Sequence, residues 1–335
     1  MDFFHPNLQQ QYLMQSAPLT MSYRQEEDFS IWKNEVNTKF RELIGEISTD
    51  KPLDIRIEHE IRGEEYREIR YIFTAEEMAD VPCYLLIPNN TPTPCPVVIC
   101  LQGHTTGMHI SLGIARNPED KEAIAGGRDF ALQAVAQGYA ALVIEQRCFG
   151  ERNDDRGGDP HGCSHISMVS LLLGRTMIGE RCFDVSRAID TLSYFSEIDT
   201  NRIGCMGNSG GGTITYYAAC LDHRITAAMP SCSVCTYTDS IGTINHCADN
   251  YIPRILQYFE MGDLACLIAP RKLIVITGKN DEIFPIDAVK RNFSIIEEIY
   301  NSAEADDNCK LIIGNKGHQF YPEEGWAAFK EITGW

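Results

Sequence analysis

The hexapeptide Gly207-Asn208-Ser209-Gly210-Gly211-Gly212 constrains the fold of this chain more than any other feature. A short apolar run, Arg202-Ile203-Gly204-Cys205-Met206, leads into it, and Thr213-Ile214-Thr215-Tyr216-Tyr217-Ala218-Ala219 follows. The pattern predicts a strand, a tight turn and a helix, with a serine at the apex. This is the G-x-S-x-G elbow. Its glycines are steric requirements, because backbone crosses backbone where no Cβ can fit. The serine then sits at a helix N-terminus, whose free N–H groups and dipole favour developing negative charge.

The surrounding chain repeats a strand-then-helix order. Pro96–Leu101, Ala140–Glu145 and Lys272–Thr277 are continuous apolar runs, as expected for strands buried on both faces. Ile225–Pro230 and Lys310–Ile313 read as further strands. Helices are predicted over 119–137, 168–197 and 285–300, with a terminal helix beginning near Glu323. Leu53–Glu58, Arg70–Phe73 and Val81–Pro88 read as an antiparallel edge. The expected class is therefore α/β: a mostly parallel central sheet flanked by helices. Residues 1–50 form a lead-in with a helix from Glu26 to Ile47. Residues 51–335 form the main domain, with insertions at about 148–170 and 232–266.

In such a sheet, functional loops gather at the carboxyl ends of the strands. Three of them carry complementary chemistry in the order Ser, Asp, His. Asp281 follows strand 272–277 and lies 72 residues after Ser209. It could orient a histidine and stabilise an imidazolium. The alternative role is a helix cap or Asx turn, and Glu282 is the rival carboxylate. His318 follows the last strand, 37 residues after Asp281. Its imidazole suits accepting a hydroxyl proton near neutrality, so turnover should rise with pH around the reference value of about 6.5. A fourth loop, Gln102-Gly103-His104-Thr105-Thr106-Gly107, follows strand 96–101. The backbone N–H groups of His104 and Gly210 are the candidate oxyanion donors. Gln102, Arg147 and Tyr251 are the candidate substrate contacts; Arg147 and Arg152 could instead brace the rim through charge-assisted hydrogen bonds.

With these loops in place, the chain resembles the α/β-hydrolases, and within them the branch of acetyl xylan esterases and dienelactone-hydrolase relatives. The stretches carrying the resemblance are Asp199–Gly204, Gly207–Gly212, Ala219–Ile225, His246–Pro253, Asp263–Arg271 and Gly278–Pro285. Gln102 stands where the family usually has histidine, and Cys148 where it has the first glycine of an Asp-x-Arg-Gly-x-Gly motif. The resemblance implies hydrolysis of short acyl esters, often acetyl groups on carbohydrate, with no cofactor. A serine peptidase or amidase on the same fold is the rival enzyme, and a non-catalytic binding protein is the rival outside enzymes.

The net charge of −18 disfavours nucleic acid and anionic membrane, leaving a small-molecule ester as the expected partner and a homo-oligomer as an open choice. Thirteen cysteines, an odd number, and no leader-like N-terminus point to a reducing cytoplasm. Two Cys/His clusters are candidate metal ligands: His161, Cys163 and His165, and Cys232, Cys235, His246 and Cys247. Neither shows the tight pairing of a four-ligand zinc site, so no metal is expected.

Overall fold

The computed structural model describes residues 4–153 and 162–335. His161 and part of the expected 148–170 insertion lie outside the described residues. Nine strands form one sheet among the described residues. They are β1 (Arg56–Arg62), β2 (Tyr66–Glu76), β3 (Ala79–Pro88), β4 (Cys95–Leu101), β5 (Ala140–Ile144), β6 (Ile198–Asn208), β7 (Ile225–Ser231), β8 (Lys272–Gly278) and β9 (Cys309–Gly314). Their spatial order is β1-β2-β3-β5-β4-β6-β7-β8-β9. The first three strands pair antiparallel, β3 pairs antiparallel with β5, and every pair from β5 to β9 is parallel. The parallel half puts the carboxyl ends of β4 to β9 on one rim.

The apolar runs are buried on both faces, as their composition demands. Val97, Ile99 and Leu101 enter one core, while Val98 and Cys100 enter the other. Helices α2 (Phe29–Ile44), α6 (Met177–Thr191), α7 (Gly210–Leu221) and α8 (Ile286–Ser302) cover the first core. Helices α4 (Phe130–Ala136) and α9 (Pro322–Thr333) cover the second. Helix α2 contributes Trp32, Val36, Phe40, Leu43 and Ile44 at helical spacing. Its N-cap Asp28 accepts from the Ser30 and Ile31 N–H groups, and Gly45, at φ 70°, ends it.

Two predicted helices are broken. The 119–137 segment becomes α3 (Pro118–Ala125) and α4, because Gly126-Gly127 interrupts it and Gly127 takes φ 79°. The 168–197 tract becomes α5 (Cys163–Leu172) and α6, with Gly174 at φ 73° and Thr176 capping the second helix. The lead-in holds an additional helix, α1 (Pro6–Gln15), which buries none of its residues and was invisible to apolar periodicity. No helix among the described residues is long and apolar enough to cross a membrane. All thirteen cysteines are free thiols.

Candidate active site

Ser209 sits between β6 and α7 in a backbone conformation that L-residues rarely adopt, φ 58° and ψ −127°. Its N–H donates to the Ser231 carbonyl at the end of β7 at 2.9 Å, and its carbonyl accepts from the Thr213 N–H at 2.8 Å. The turn closes because Gly207 and Gly211 touch: a Cβ on Gly207 would come within 2.5 Å of the Gly211 carbonyl carbon. The loop after β4 lies equally close. A Cβ on Gly103 would meet Asn208 O at 2.7 Å and Gly210 N at 3.1 Å. The backbone around His104 is thereby held against the first turn of α7, where the N–H groups have no partner within the helix.

His318 follows β9 and Asp281 follows β8. His318 Nδ1 and Asp281 Oδ2 are 2.9 Å apart. The other oxygen of Asp281 accepts from the Ile283 and Phe284 N–H groups at 2.9 and 3.1 Å. The Asx turn and the histidine contact, set as alternatives above, coexist on the two oxygens of one carboxylate. Burial alone would raise the Asp281 pKa, but hydrogen bonding to His318, its charge and the two N–H groups outweigh it and hold the carboxyl below its ordinary value. Phe284 stacks on the His318 ring, with centroids 5.8 Å apart. Glu282, the rival carboxylate, is exposed and makes no such contact.

Ser209, Gly210, His104 and His318 line one cavity of about 590 Å³, within the range of small-molecule sites. His246 and Cys247 from the 232–266 insertion form another wall. Arg128 also lines it, half-buried and with no ion-pair partner among the described residues. Sequence reading missed Arg128; its only trace was its place directly after the Gly126-Gly127 break.

The three expected substrate contacts do not line this cavity. Gln102 is buried, and its Nε2 donates to Ser111 Oγ and the Arg128 carbonyl, both at 2.7 Å. It shapes the loop from behind. Arg147 is enclosed by Glu76, Glu180 and Asp184 at 2.8 to 2.9 Å, and Arg152 shares Asp184 at 2.7 Å. Both arginines brace the segment after β5. Tyr251 lines a different, largely apolar cavity beside Leu13 and Met14 of α1. Nearness to a rim loop along the chain does not dictate which way a side chain turns.

A second histidine–aspartate pair flanks the cavity. His104 Nε2 lies 3.0 Å from Asp249 Oδ2, and the same oxygen accepts from buried Arg181 at 2.6 Å. Burial works against a charged imidazole here, but hydrogen bonds to Asp249 and Cys247 and the Asp249 charge hold the His104 pKa up at about 9. Glu145, at the end of β5, receives the Met108 and Glu151 N–H groups, and burial raises it to about 7. It ties the β4 and β5 loops together.

Residues 9–319 match the model of a family described as the Abhydrolase family. This chain belongs to that family. The mixed sheet with its Ser209 elbow is the α/β-hydrolase fold. The chain is 26% identical over 279 residues to the Bacillus subtilis (strain 168) protein named "Putative hydrolase YtaP", covering 82% of this chain and 90% of that one. A Bacteroides fragilis structure described as a "putative acetyl xylan esterase" superposes with TM-score 0.76 at 18% identity, covering 93% of this chain and 83% of that one. A glucuronoyl esterase from Solibacter usitatus superposes with TM-score 0.71 at 14% identity, covering 94% and 96%. At those identities the structural likenesses speak for the fold.

Proposed function

We propose that this Abhydrolase-family member is a serine hydrolase of short acyl esters, with acetyl esters of carbohydrate as the leading substrate class. One observation carries the reading: a serine in a strained elbow and a histidine already bonded to a buried aspartate open onto the same cavity.

In this reading His318 takes the Ser209 hydroxyl proton through Nε2, since Nδ1 is engaged by Asp281. The Ser209 oxygen attacks the acyl carbonyl and forms the tetrahedral oxyanion. The N–H groups of Gly210 and His104 stabilise that charge, each donor being worth about 10²–10³ in turnover. The alcohol leaves with the proton from His318, and a water activated by the same imidazole releases the acid and regenerates Ser209. Arg128 supplies a fixed positive charge on the cavity wall for a substrate oxygen that carries negative charge.

The substrate class leans on the names of the structural neighbours, acetyl xylan and glucuronoyl esterases, whose alcohols or acids are carbohydrate. The test is hydrolysis of p-nitrophenyl esters of increasing chain length beside acetylated xylo-oligosaccharides. Acetate is expected to be turned over fastest. Full activity of Ser209→Ala on p-nitrophenyl acetate would overturn the mechanism, and a preference for peptide anilides would overturn the substrate class.

A further inference from the structure

The two Cys/His clusters of the sequence do not assemble as written. The fold takes one member from each and adds two residues from elsewhere. His104 from the loop after β4, Cys163 from the start of α5, and Cys247 and Asp249 from the 232–266 insertion place one donor atom each within 4.8 Å of one another. Cys163 Sγ is 2.7 Å from Cys247 Sγ and 3.6 Å from His104 Nε2, which is 3.0 Å from Asp249 Oδ2. We propose that these four residues form a structural zinc site that clasps the insertion loops to the loop carrying the His104 N–H.

The donor set fits the metal. Two thiols, an imidazole and a carboxylate are ligand types of tetrahedral zinc, with metal–sulfur distances of about 2.3 Å and metal–nitrogen and metal–oxygen distances of about 2.0–2.2 Å. Tetrahedral angles would then separate the donor atoms by about 3.3–3.8 Å. The Cys163–His104 spacing of 3.6 Å falls in that range, while the thiol–thiol spacing of 2.7 Å and the His104–Asp249 spacing of 3.0 Å are shorter, so the two cysteine side chains must rotate apart to admit the ion. Charge closes as well. Two thiolates and one carboxylate oppose a dication, and the guanidinium of Arg181 on Asp249 Oδ2 offsets the remaining negative charge. Arg181 also donates to the Arg147 carbonyl and stacks on Phe149, 4.2 Å from the ring centroid. It is thus a fixed outer partner of a metal ligand, as such sites require. Cys247 borders the cavity before Ser209, so an ion has a way in.

The consequence for the proposed chemistry is positional. The His104 ring lies against the elbow: a Cβ on Gly210 would come 3.3 Å from its Nδ1. Fixing Nε2 on a metal would fix the backbone that offers the oxyanion donor. The site itself does not depend on ester hydrolysis, and its test can be run on a Ser209→Ala background.

The experiment reconstitutes the reduced full-length chain with Zn²⁺, removes loose metal on a chelating resin, and measures bound zinc by mass spectrometry. About one zinc per chain is expected, lost in Cys163→Ser/Cys247→Ser. Cobalt substitution should give a thiolate-to-metal charge-transfer band that the double variant lacks. A reduced wild-type chain that retains no zinc and shows no such cobalt band overturns the proposal. So does equal zinc in the wild type and a folded double variant. Should the double variant fail to fold, the cobalt spectrum of the wild type decides alone. A Cys163–Cys247 disulfide that re-forms in air whether or not zinc is present also counts against it.

Discussion

Two histidine–aspartate pairs face one cavity, and they differ in almost everything but the ring-to-carboxylate distance, 2.9 Å for His318–Asp281 and 3.0 Å for His104–Asp249. His318 is bonded through Nδ1, which leaves Nε2 for the proton transfer proposed above. His104 is bonded through Nε2, with its Nδ1 edge against Gly210. Asp281 is satisfied by backbone N–H groups, with no arginine partner among the described residues, while Asp249 carries the buried Arg181. In the proposed mechanism the first pair moves a proton. The other is equipped to hold a charge and a loop in place. Residue type and contact distance do not distinguish the two; the bonded nitrogen and the company of the carboxylate do.

Removing the proton-moving groups should separate the pairs most sharply. Ser209→Ala and His318→Ala are each expected to lower kcat on p-nitrophenyl acetate by about 10⁴–10⁶-fold. His104→Ala keeps its backbone N–H and should lose only about 10–100-fold, as for a group that orients others. Equal losses at the two histidines would break the distinction.

The aspartates give the next test. Asp281→Asn is expected to cost about 10³–10⁴-fold in kcat with little change in Tm, because the asparagine can still accept the turn N–H groups but favours the wrong imidazole tautomer. Asp249→Asn should do the reverse. It leaves Arg181 buried without a counter-charge, a loss of about 3–5 kcal/mol in stability read by denaturant unfolding. A variant at Asp249 that unfolds like the wild type would show that Arg181 finds another partner.

A smaller effect is expected at Arg128. Arg128→Gln should raise KM by about 10-fold for esters bearing a carboxylate and change neutral acetyl esters little, since it removes one charge-assisted contact. Equal changes for both would place Arg128 outside substrate binding.

The smallest effect concerns the background against which both pairs are read across pH. Burial raises Glu260 to about 7 and Asp263 to about 6. Their folded pKa values exceed the unfolded ones, so the stability they contribute is complete below about pH 4 and is lost as pH rises through 6 to 7. Thermal melts should show Tm falling from pH 5 to 8. Glu260→Gln should flatten the slope, because Oε1 already accepts the Tyr237 and Met261 N–H groups and the amide keeps that oxygen. An unchanged slope would locate the titration elsewhere.

The order of buried strands and the elbow were legible because both rest on local rules. Continuous apolar runs such as Val97–Leu101 report burial on two faces, and Gly207 and Gly211 report a backbone crossing. Helix ends were less legible: Gly126-Gly127 and Gly174 broke two tracts that apolar spacing joined. Helix α1 was missed because it buries none of its residues, so its sequence carries no periodic signal. Gln102, Arg147 and Tyr251 were placed by neighbourhood in the chain, and each side chain turned toward a partner that the chain order does not disclose. The zinc-ligand grouping shows the same gap. Cys163 and Cys247 lie 84 positions apart and meet only because α5 packs against the 232–266 insertion.

By itself, the amino-acid order determined the alternation of strand and helix, the strained serine turn and the succession of Ser209, Asp281 and His318 at strand ends, since each follows from steric and burial constraints acting within a few residues. Only the tertiary structure decided which nitrogen of each histidine is engaged, which arginines face the cavity and which are locked among carboxylates, and which thiols become neighbours. Those outcomes depend on side-chain direction and on contacts between distant segments, which packing selects.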